Sequence, residues 1–119
     1  MVTIEIFRNE QDTLAIAAGQ TIFKEGDTGG RTMYVVVEGE VDLHVKGKLV
    51  EQLGPGGAFG EMALLDTVPR SATAVAKTAC RLVEINERRF KFLVQQTPHF
   101  ALQMMHVIAD RLRRMDDRL

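Results

Sequence analysis

Short apolar segments separated by glycine-containing turns make up most of the chain, and a helical period takes over near its C-terminal end. The clearest alternation lies in residues 40–46, where Val41, Leu43 and Val45 share one face and polar residues share the other. This period of two predicts a half-buried antiparallel strand. Residues 32–38, rich in β-branched and aromatic side chains, predict the strongest strand of the chain.

Further strands are predicted from β-rich runs that are bounded by turn residues. They cover residues 14–17, 21–24, 49–53, 71–76 and 80–85, and a turn cluster occupies residues 25–30. Because the connections between successive strands are short, a meander of neighbouring strands is the simplest topology.

The hydrophobic period changes at Asn86, which predicts the N-cap of a helix over residues 87–94. A second helix is predicted to begin at Pro98, after a Thr97 cap. Its apolar residues recur at spacings of four, three, four, three and four: Ala101, Met105, Ile108, Leu112, Met115 and Leu119. Such a stripe either packs on the β body or forms a coiled coil with a second chain, and the pattern leaves both open.

Composition limits the chain to one globular domain. Its 119 residues are 45% hydrophobic and 26% charged, and no apolar run approaches the ~20 residues that a membrane helix needs. The N-terminus lacks the basic start and apolar core of a secretory signal, so a cytoplasmic protein without membrane contact is expected. Cys80 is the only cysteine, and its apolar neighbours predict an inert core thiol.

The charge balance disfavours a nucleic-acid-binding surface. The chain has 15 basic and 16 acidic residues, with a formal net charge of -1. A basic cluster near the C-terminus is accompanied by acidic residues, as on a solvated helix face: Arg111, Arg113 and Arg114 beside Asp110, Asp116 and Asp117. We therefore expect no direct binding of DNA.

Residues 59–74, FGEMALLDTVPRSATA, combine a glycine-led turn, a short apolar helix and an arginine that follows a proline. Gly60 before Glu61 predicts a helix start, where backbone amides without partners attract anions. Pro69 stiffens the approach to Arg70, whose planar guanidinium suits bidentate pairing with a phosphate or a carboxylate. The segment predicts a pocket for a small ligand that carries a phosphate.

This segment resembles the phosphate-binding cassette of the cyclic nucleotide-binding domain, and KEGDTGGRTMYVVVEGEV resembles the early strands and glycine turns of that family. The resemblance extends from about Leu14 to Leu112. It implies one domain over residues 1–119, mainly β with flanking helices. A β-roll, which is a jelly-roll-like sandwich, would cover about residues 13–86 and include a short cassette helix. The C-terminal helices would cover about residues 87–118, and the last of them would be long.

The resemblance also implies roles for the cassette residues. Arg70 would hold the cyclic phosphate, while Glu61 would accept the ribose 2′-hydroxyl with the Gly60 carbonyl as a second acceptor. The phosphate cradle would be completed by the helix-start amides and the residues after the arginine: Met62, Ala63, Ser71 and Ala72. The long helix would supply a lid over the base, drawn from Ile108, Arg111, Leu112 and Met115.

A non-catalytic sensor is the expected function. Ser71 suits either purine, and the likeness to bacterial cAMP-responsive regulators favours cAMP over cGMP as the ligand. Ligand phosphate is expected to pull the cassette inward and to move the C-terminal helix, with no cofactor. The chain ends without the helix-turn-helix of its transcription-factor relatives. It is therefore either a stand-alone sensor or a piece of a longer regulator, acting through a homodimer or an effector protein.

Two other functions would place different demands on the residues. A cupin-type enzyme would need clustered metal ligands, but His44, His99 and His106 are scattered along the chain. A β-roll used only for protein interaction, without a ligand, would have no need of both Arg70 and Glu61. The residues favour a ligand-binding domain without a metal and without catalysis.

Overall fold

The computed structural model describes residues 2–66 and 68–118, with side chains as far as Arg114. Eight strands lie in this part of the chain: β1 (Leu14–Ile16), β2 (Thr21–Phe23), β3 (Thr32–Glu38), β4 (Val41–Val45), β5 (Lys48–Leu53), β6 (Ala58–Phe59), β7 (Thr73–Ala76) and β8 (Cys80–Asn86). The helices are α1 (Met62–Leu65), α2 (Glu87–Gln96) and α3 (Pro98–Arg118).

The strands form two four-stranded antiparallel sheets, in the orders β1-β8-β3-β6 and β2-β7-β4-β5. The predicted β-roll with flanking helices is confirmed. The predicted meander is wrong, because β3 and β4 are consecutive in the chain but lie in different sheets. A chain that passes from sheet to sheet lets both sheets bury an apolar face against a common core.

Two apolar clusters make up the core. One lies between the sheets and includes Val36, Val41, Phe59 and Leu82. The other lies between the first sheet and the helices, and the N-terminal residues Ile4 and Phe7 contribute to it: Ile4, Phe7, Met33, Val35, Ala58, Leu64, Val83, Ile85, Phe100, Met104 and Val107. The strands β3 and β8 are therefore buried on both faces, which explains their continuous apolar composition.

Cys80 lies in the cluster between the sheets and is 3% exposed, as predicted for a core thiol. Its Sγ lies 3.2 Å from the carbonyl oxygens of both Glu40 and Thr78, which share its one S–H as acceptors. Burial is the main influence that raises the pKa of this thiol. The thiolate is therefore disfavoured at neutral pH.

The predicted starts of both helices are confirmed, while α2 continues to Gln96, two residues beyond its predicted end. Asn86 Oδ1 accepts from the backbone N–H of Arg89 at 2.8 Å, which caps α2, and α3 begins at Pro98. No helix in the described residues combines the length and the apolar character that crossing a bilayer demands.

The face of α3 that packs on the β-roll differs from the predicted stripe. The core-facing residues are Phe100, Met104 and Val107, each at most 4% exposed. Met105 and Leu112, from the predicted stripe, are 63% and 57% exposed, so packing of that stripe in the core is wrong. Both stripes have helical spacing, and Phe100 decides between them because its ring packs edge-on against Phe7 at 6.4 Å. The Met115 side chain and Leu119 fall outside the described part.

Candidate functional site

The cassette, residues 59–74, carries the chain from β6 at the edge of the first sheet through α1 to β7 in the second sheet. Gly60 follows β6 with a φ of 80°, in the left-handed region that favours glycine. A Cβ at this position would lie 2.9 Å from Arg70 Nη1 and 3.2 Å from the Thr32 carbonyl oxygen. Gly60 is therefore favoured by the backbone turn, and a side chain at this position would displace the Arg70 guanidinium.

Arg70 is a buried cation that donates its hydrogen bonds to neutral groups. The residue is 8% exposed, and its guanidinium donates to two backbone carbonyls, to Gly60 at 3.1 Å and to Thr32 at 2.8 Å. None of the ion pairs found between the described side chains includes Arg70. Burial is the main influence on its pKa, which it lowers. Such a group is ready to pair with an anion.

The backbone of Arg70 is held by the turn that the sequence predicts over residues 25–30. The Arg70 N–H donates to the Asp27 carbonyl at 2.9 Å, and the Gly26 N–H donates to the Arg70 carbonyl at 2.8 Å. The Asp27 carboxylate in turn accepts from the Lys24 N–H at 2.9 Å, which fixes the turn. Hydrogen bonds to this turn therefore fix the Arg70 backbone on both sides, although the residues around it belong to loops.

Glu61 is the second buried charged residue of the cassette, at 5% exposure. It accepts from Arg111 of α3, whose guanidinium also donates to the Ala58 carbonyl and, at 3.1 Å, to Glu51 of β5. Burial opposes the charge of Arg111, but Glu61 and Glu51 outweigh it and raise the pKa of the guanidinium. Arg111 thus ties α3 to the cassette and to β5.

Glu51 extends this ion-pair network beyond the cassette. Its carboxylate lies 3.1 Å from Arg111 Nε and 3.3 Å from Arg114 Nη1, and its side chain is 11% exposed. Arg114 also pairs with Asp110 at 2.6 Å, one turn back on α3. This role of Glu51 could not be predicted from the sequence, where it is one charged residue in a short strand. Its partners lie on a helix about 60 residues away.

Arg111 has a different environment from the one that the charge pattern predicts. The side chain is 19% exposed, whereas that of Arg113 is 69% exposed, so the solvated helix face is correct for Arg113 and wrong for Arg111. Arg111, predicted to belong to a lid over the base, donates to the carboxylate of Glu61. It therefore contacts the residue for which the resemblance implies a bond to the ribose.

The helix-start amides are partly engaged within the chain. The Ala63 N–H donates to the Gly60 carbonyl at 3.3 Å, and that carbonyl also accepts from Arg70. The proposed second acceptor for the ribose is therefore already used. Of the other predicted residues, Met62 and Ser71 are exposed and Ala72 is half-buried.

The residues predicted to form a lid differ in their burial and contacts. Ile108 is half-buried on α3 and Leu112 is 57% exposed, so only Arg111 is shown to contact the cassette among the described side chains of this set. Met115 falls outside the described side chains. The roles of Ile108, Leu112 and Met115 at the base stay predictions.

The three histidines do not meet. His44 is half-buried on β4, and His99 and His106 are exposed on α3. In the part of the chain that the structure covers, no group of three His, Cys, Asp or Glu side chains is placed to hold a metal ion.

Comparison with known proteins agrees with this geometry. The sequence profile of the cyclic nucleotide-binding domain matches residues 13–97. A CRP-like cAMP-activated global transcriptional regulator of Mycobacterium tuberculosis is 30% identical over 106 residues, which cover 85% of this chain and 47% of that protein. The chain therefore spans about half the length of the curated relatives it matches.

Solved structures give the same result. The catabolite activator protein of Thermus thermophilus superposes with a TM-score of 0.80 at 35% identity, over 90% of this chain and 52% of that one. A structure from a cyclic-GMP-dependent signalling pathway that regulates bacterial phytopathogenesis has a TM-score of 0.71 at 36% identity, over 88% of this chain and 84% of that one. The chain belongs to the cyclic nucleotide-binding domain family.

Proposed function

We propose that the chain binds a cyclic nucleotide, cAMP in preference to cGMP, as a non-catalytic sensor domain. The observation that carries the proposal is Arg70, a buried cation whose hydrogen-bond partners are two neutral carbonyls. A cyclic phosphate is a monoanion with two exocyclic oxygens, which a guanidinium can bind through two parallel charge-assisted hydrogen bonds. Those bonds would replace weaker contacts at a site that is already desolvated.

Preference for cAMP is supported by the relatives. The Mycobacterium tuberculosis regulator, 30% identical to this chain, is named for its activation by cAMP. The structure from the cyclic-GMP-dependent pathway keeps cGMP as the second candidate. Calorimetric titration of the chain with both nucleotides tests the proposal: we expect both to bind, with cAMP several-fold tighter. Equal or tighter binding of cGMP would overturn the preference, and binding of neither would overturn the function.

Glu61 could couple ligand binding to the position of α3, because its carboxylate already binds Arg111 of that helix. A ribose 2′-hydroxyl that donates to this carboxylate would share it with Arg111, which the same carboxylate already binds. The position of α3 and the occupancy of the pocket would then depend on one buried group. A ligand that binds one arrangement of α3 more tightly shifts the population toward it, and this is how we propose that binding moves the helix.

Cyclic nucleotides that lack the 2′-hydroxyl should bind about tenfold or more weakly than cAMP, since a buried polar group that loses its partner costs ~1–3 kcal/mol. In Glu61→Ala the titrations of cAMP and 2′-deoxy-cAMP should give similar affinities. Glu51→Ala is the matched control, because it removes another partner of Arg111 but leaves the ribose acceptor in place. Full discrimination retained in Glu61→Ala would contradict the sugar role.

The exposed apolar face of α3 favours a homodimer, in which the partner is a second copy of this chain. Leu102, Met105 and Leu112 are each more than half exposed and lie three and seven residues apart. These positions match a coiled-coil seam, and a second copy of α3 would cover them. The dimer would carry the movement of α3 from one protomer to the other, or to an effector protein.

Met105→Glu or Leu112→Glu should weaken this dimer about tenfold or more, because each places a charge at the seam without a partner. Light scattering over a concentration series measures the effect. Leu49→Glu is the matched control, since Leu49 is also half exposed, at 51%, but lies on β5 and not on the proposed seam of α3. A wild-type chain that stays monomeric at every concentration, with and without nucleotide, would refute the dimer.

A further inference from the structure

Arg70 has a third neighbour besides its two carbonyl acceptors. Its guanidinium carbon lies over the ring of Phe23, 4.1 Å from the ring centroid. This is well within the ~6 Å at which a cation is attracted to the negative face of an aromatic ring. Near the guanidinium is also Gly30, where a Cβ would lie 3.1 Å from Nη2 and 3.7 Å from the guanidinium carbon. The group therefore has an aromatic ring and a residue without a side chain as close neighbours.

The position of Phe23 is set by the sheet. Phe23 ends β2, and the register between β2 and β7 shifts between Thr21 and Phe23, so that Thr21 faces Val75 and Phe23 faces Ala74. An irregularity of this kind turns a side chain away from the direction that regular pleating would give it. The placement of this ring over Arg70 is therefore not readable from the period of the strand.

An aromatic cluster supports the ring from the protein side. Phe23 contacts Tyr34 at 6.2 Å and Phe59 at 6.0 Å between centroids, and those two rings stack on each other at 5.3 Å. Phe59 is fully buried in the cluster between the sheets. The ring thus links the position of Arg70 to the core of the β-roll.

We propose that Phe23 is a positioning residue for Arg70, which holds the guanidinium at the site where the cyclic phosphate binds. An aromatic face attracts the cation without neutralising it, whereas a carboxylate at the same place would compete with the phosphate. The charge of Arg70 is thereby stabilised before the ligand arrives and stays available to it. The inference deepens the proposed function and rests on it.

The placement is tested first in the free protein, by NMR of the Arg70 side chain, assigned by its loss in Arg70→Lys. Ring currents should shift these resonances upfield in the wild type, and the shift should vanish in Phe23→Leu and persist in Phe23→Tyr. Phe7→Leu is the matched control, because it removes a different ring that lies beneath an arginine, Arg89 at 5.4 Å. An unchanged Arg70 shift in Phe23→Leu would overturn the placement.

The consequence for binding is tested by titration with cAMP. Phe23→Leu should weaken binding about 3- to 30-fold, from the usual strength of a cation on a ring. Phe23→Tyr should bind like the wild type, and fluorinated phenylalanines at position 23 should weaken binding in step with the number of fluorines while keeping the ring's shape. Fluorinated and leucine variants that bind as tightly as the wild type would overturn the proposal, whatever their stability.

The NMR experiment and the titration together distinguish a failure of this inference from a failure of the proposed function. If the wild type binds neither cAMP nor cGMP, the proposed function fails and the positioning role for phosphate fails with it, while the NMR arm still reports whether Phe23 holds Arg70. If the wild type binds cAMP and Phe23→Leu binds it equally well, the proposed function stands and the inference alone is overturned.

Discussion

Arg70→Ala should lower the affinity for cAMP by about two orders of magnitude or more. Two charge-assisted hydrogen bonds to the phosphate are lost, each worth ~1.5–3 kcal/mol, and tenfold in affinity corresponds to ~1.4 kcal/mol. Arg70→Lys should fall between the wild type and alanine, because lysine keeps the charge but lacks the planar fork that binds two oxygens at once. Calorimetric titration of the three proteins under identical salt measures the effect.

Arg113→Ala is the matched control for Arg70→Ala. Its side chain is 69% exposed, with only a distant ion pair to Asp110 at 4.0 Å, so its loss removes the same charge without touching the cassette. We expect its affinity to stay within a factor of about two of the wild type, since exposed ion pairs contribute little. If Arg70→Ala and Arg113→Ala bind cAMP alike, Arg70 does not hold the phosphate.

Phe100→Ala should lower the free energy of unfolding by about 3–5 kcal/mol, the usual cost of removing a buried aromatic ring. Phe100 is fully buried and packs edge-on against Phe90 at 5.6 Å, so it joins α3 to α2 at the first sheet. A loss of this size is a large part of the ~5–15 kcal/mol that stabilises a typical domain. Urea denaturation followed by circular dichroism measures it.

Leu102→Ala provides the comparison on the same helix. Leu102 is 55% exposed, and its truncation should change the unfolding free energy by less than ~0.5 kcal/mol under dilute conditions, where no partner covers it. Equal losses in Phe100→Ala and Leu102→Ala would show that the core-facing side of α3 has been assigned wrongly.

Several local features of the fold could be predicted from residues only a few positions apart. Gly60 and the turn over residues 25–30 are readable because a left-handed backbone or a tight turn limits the residue types within a few positions. Asn86 is readable as a cap for the same reason, and the structure confirms it. The β-roll and the cassette followed from a family resemblance over nearly the whole chain, rather than from any single period.

The order of the strands was not predictable from neighbouring segments. The predicted meander failed because β3 pairs with β6 and β8, while β4, the next strand, pairs with β5 and β7 in the other sheet. Alternation tells which residues of a strand are buried, but it does not tell which sheet covers them. β6, with only two residues, is too short to show a period at all.

From the chain alone came the existence of the cassette, the caps of the helices and the identity of Arg70 and Glu61 as candidate ligand groups. Only the tertiary structure showed that Arg111 lies on Glu61, 50 residues away, and that Phe23 lies beneath Arg70. It also decided which of two adjacent stripes of α3 faces the core. The physical reason is range: turns, caps and alternation arise from groups a few residues apart, whereas ion pairs and ring contacts depend on how distant segments pack.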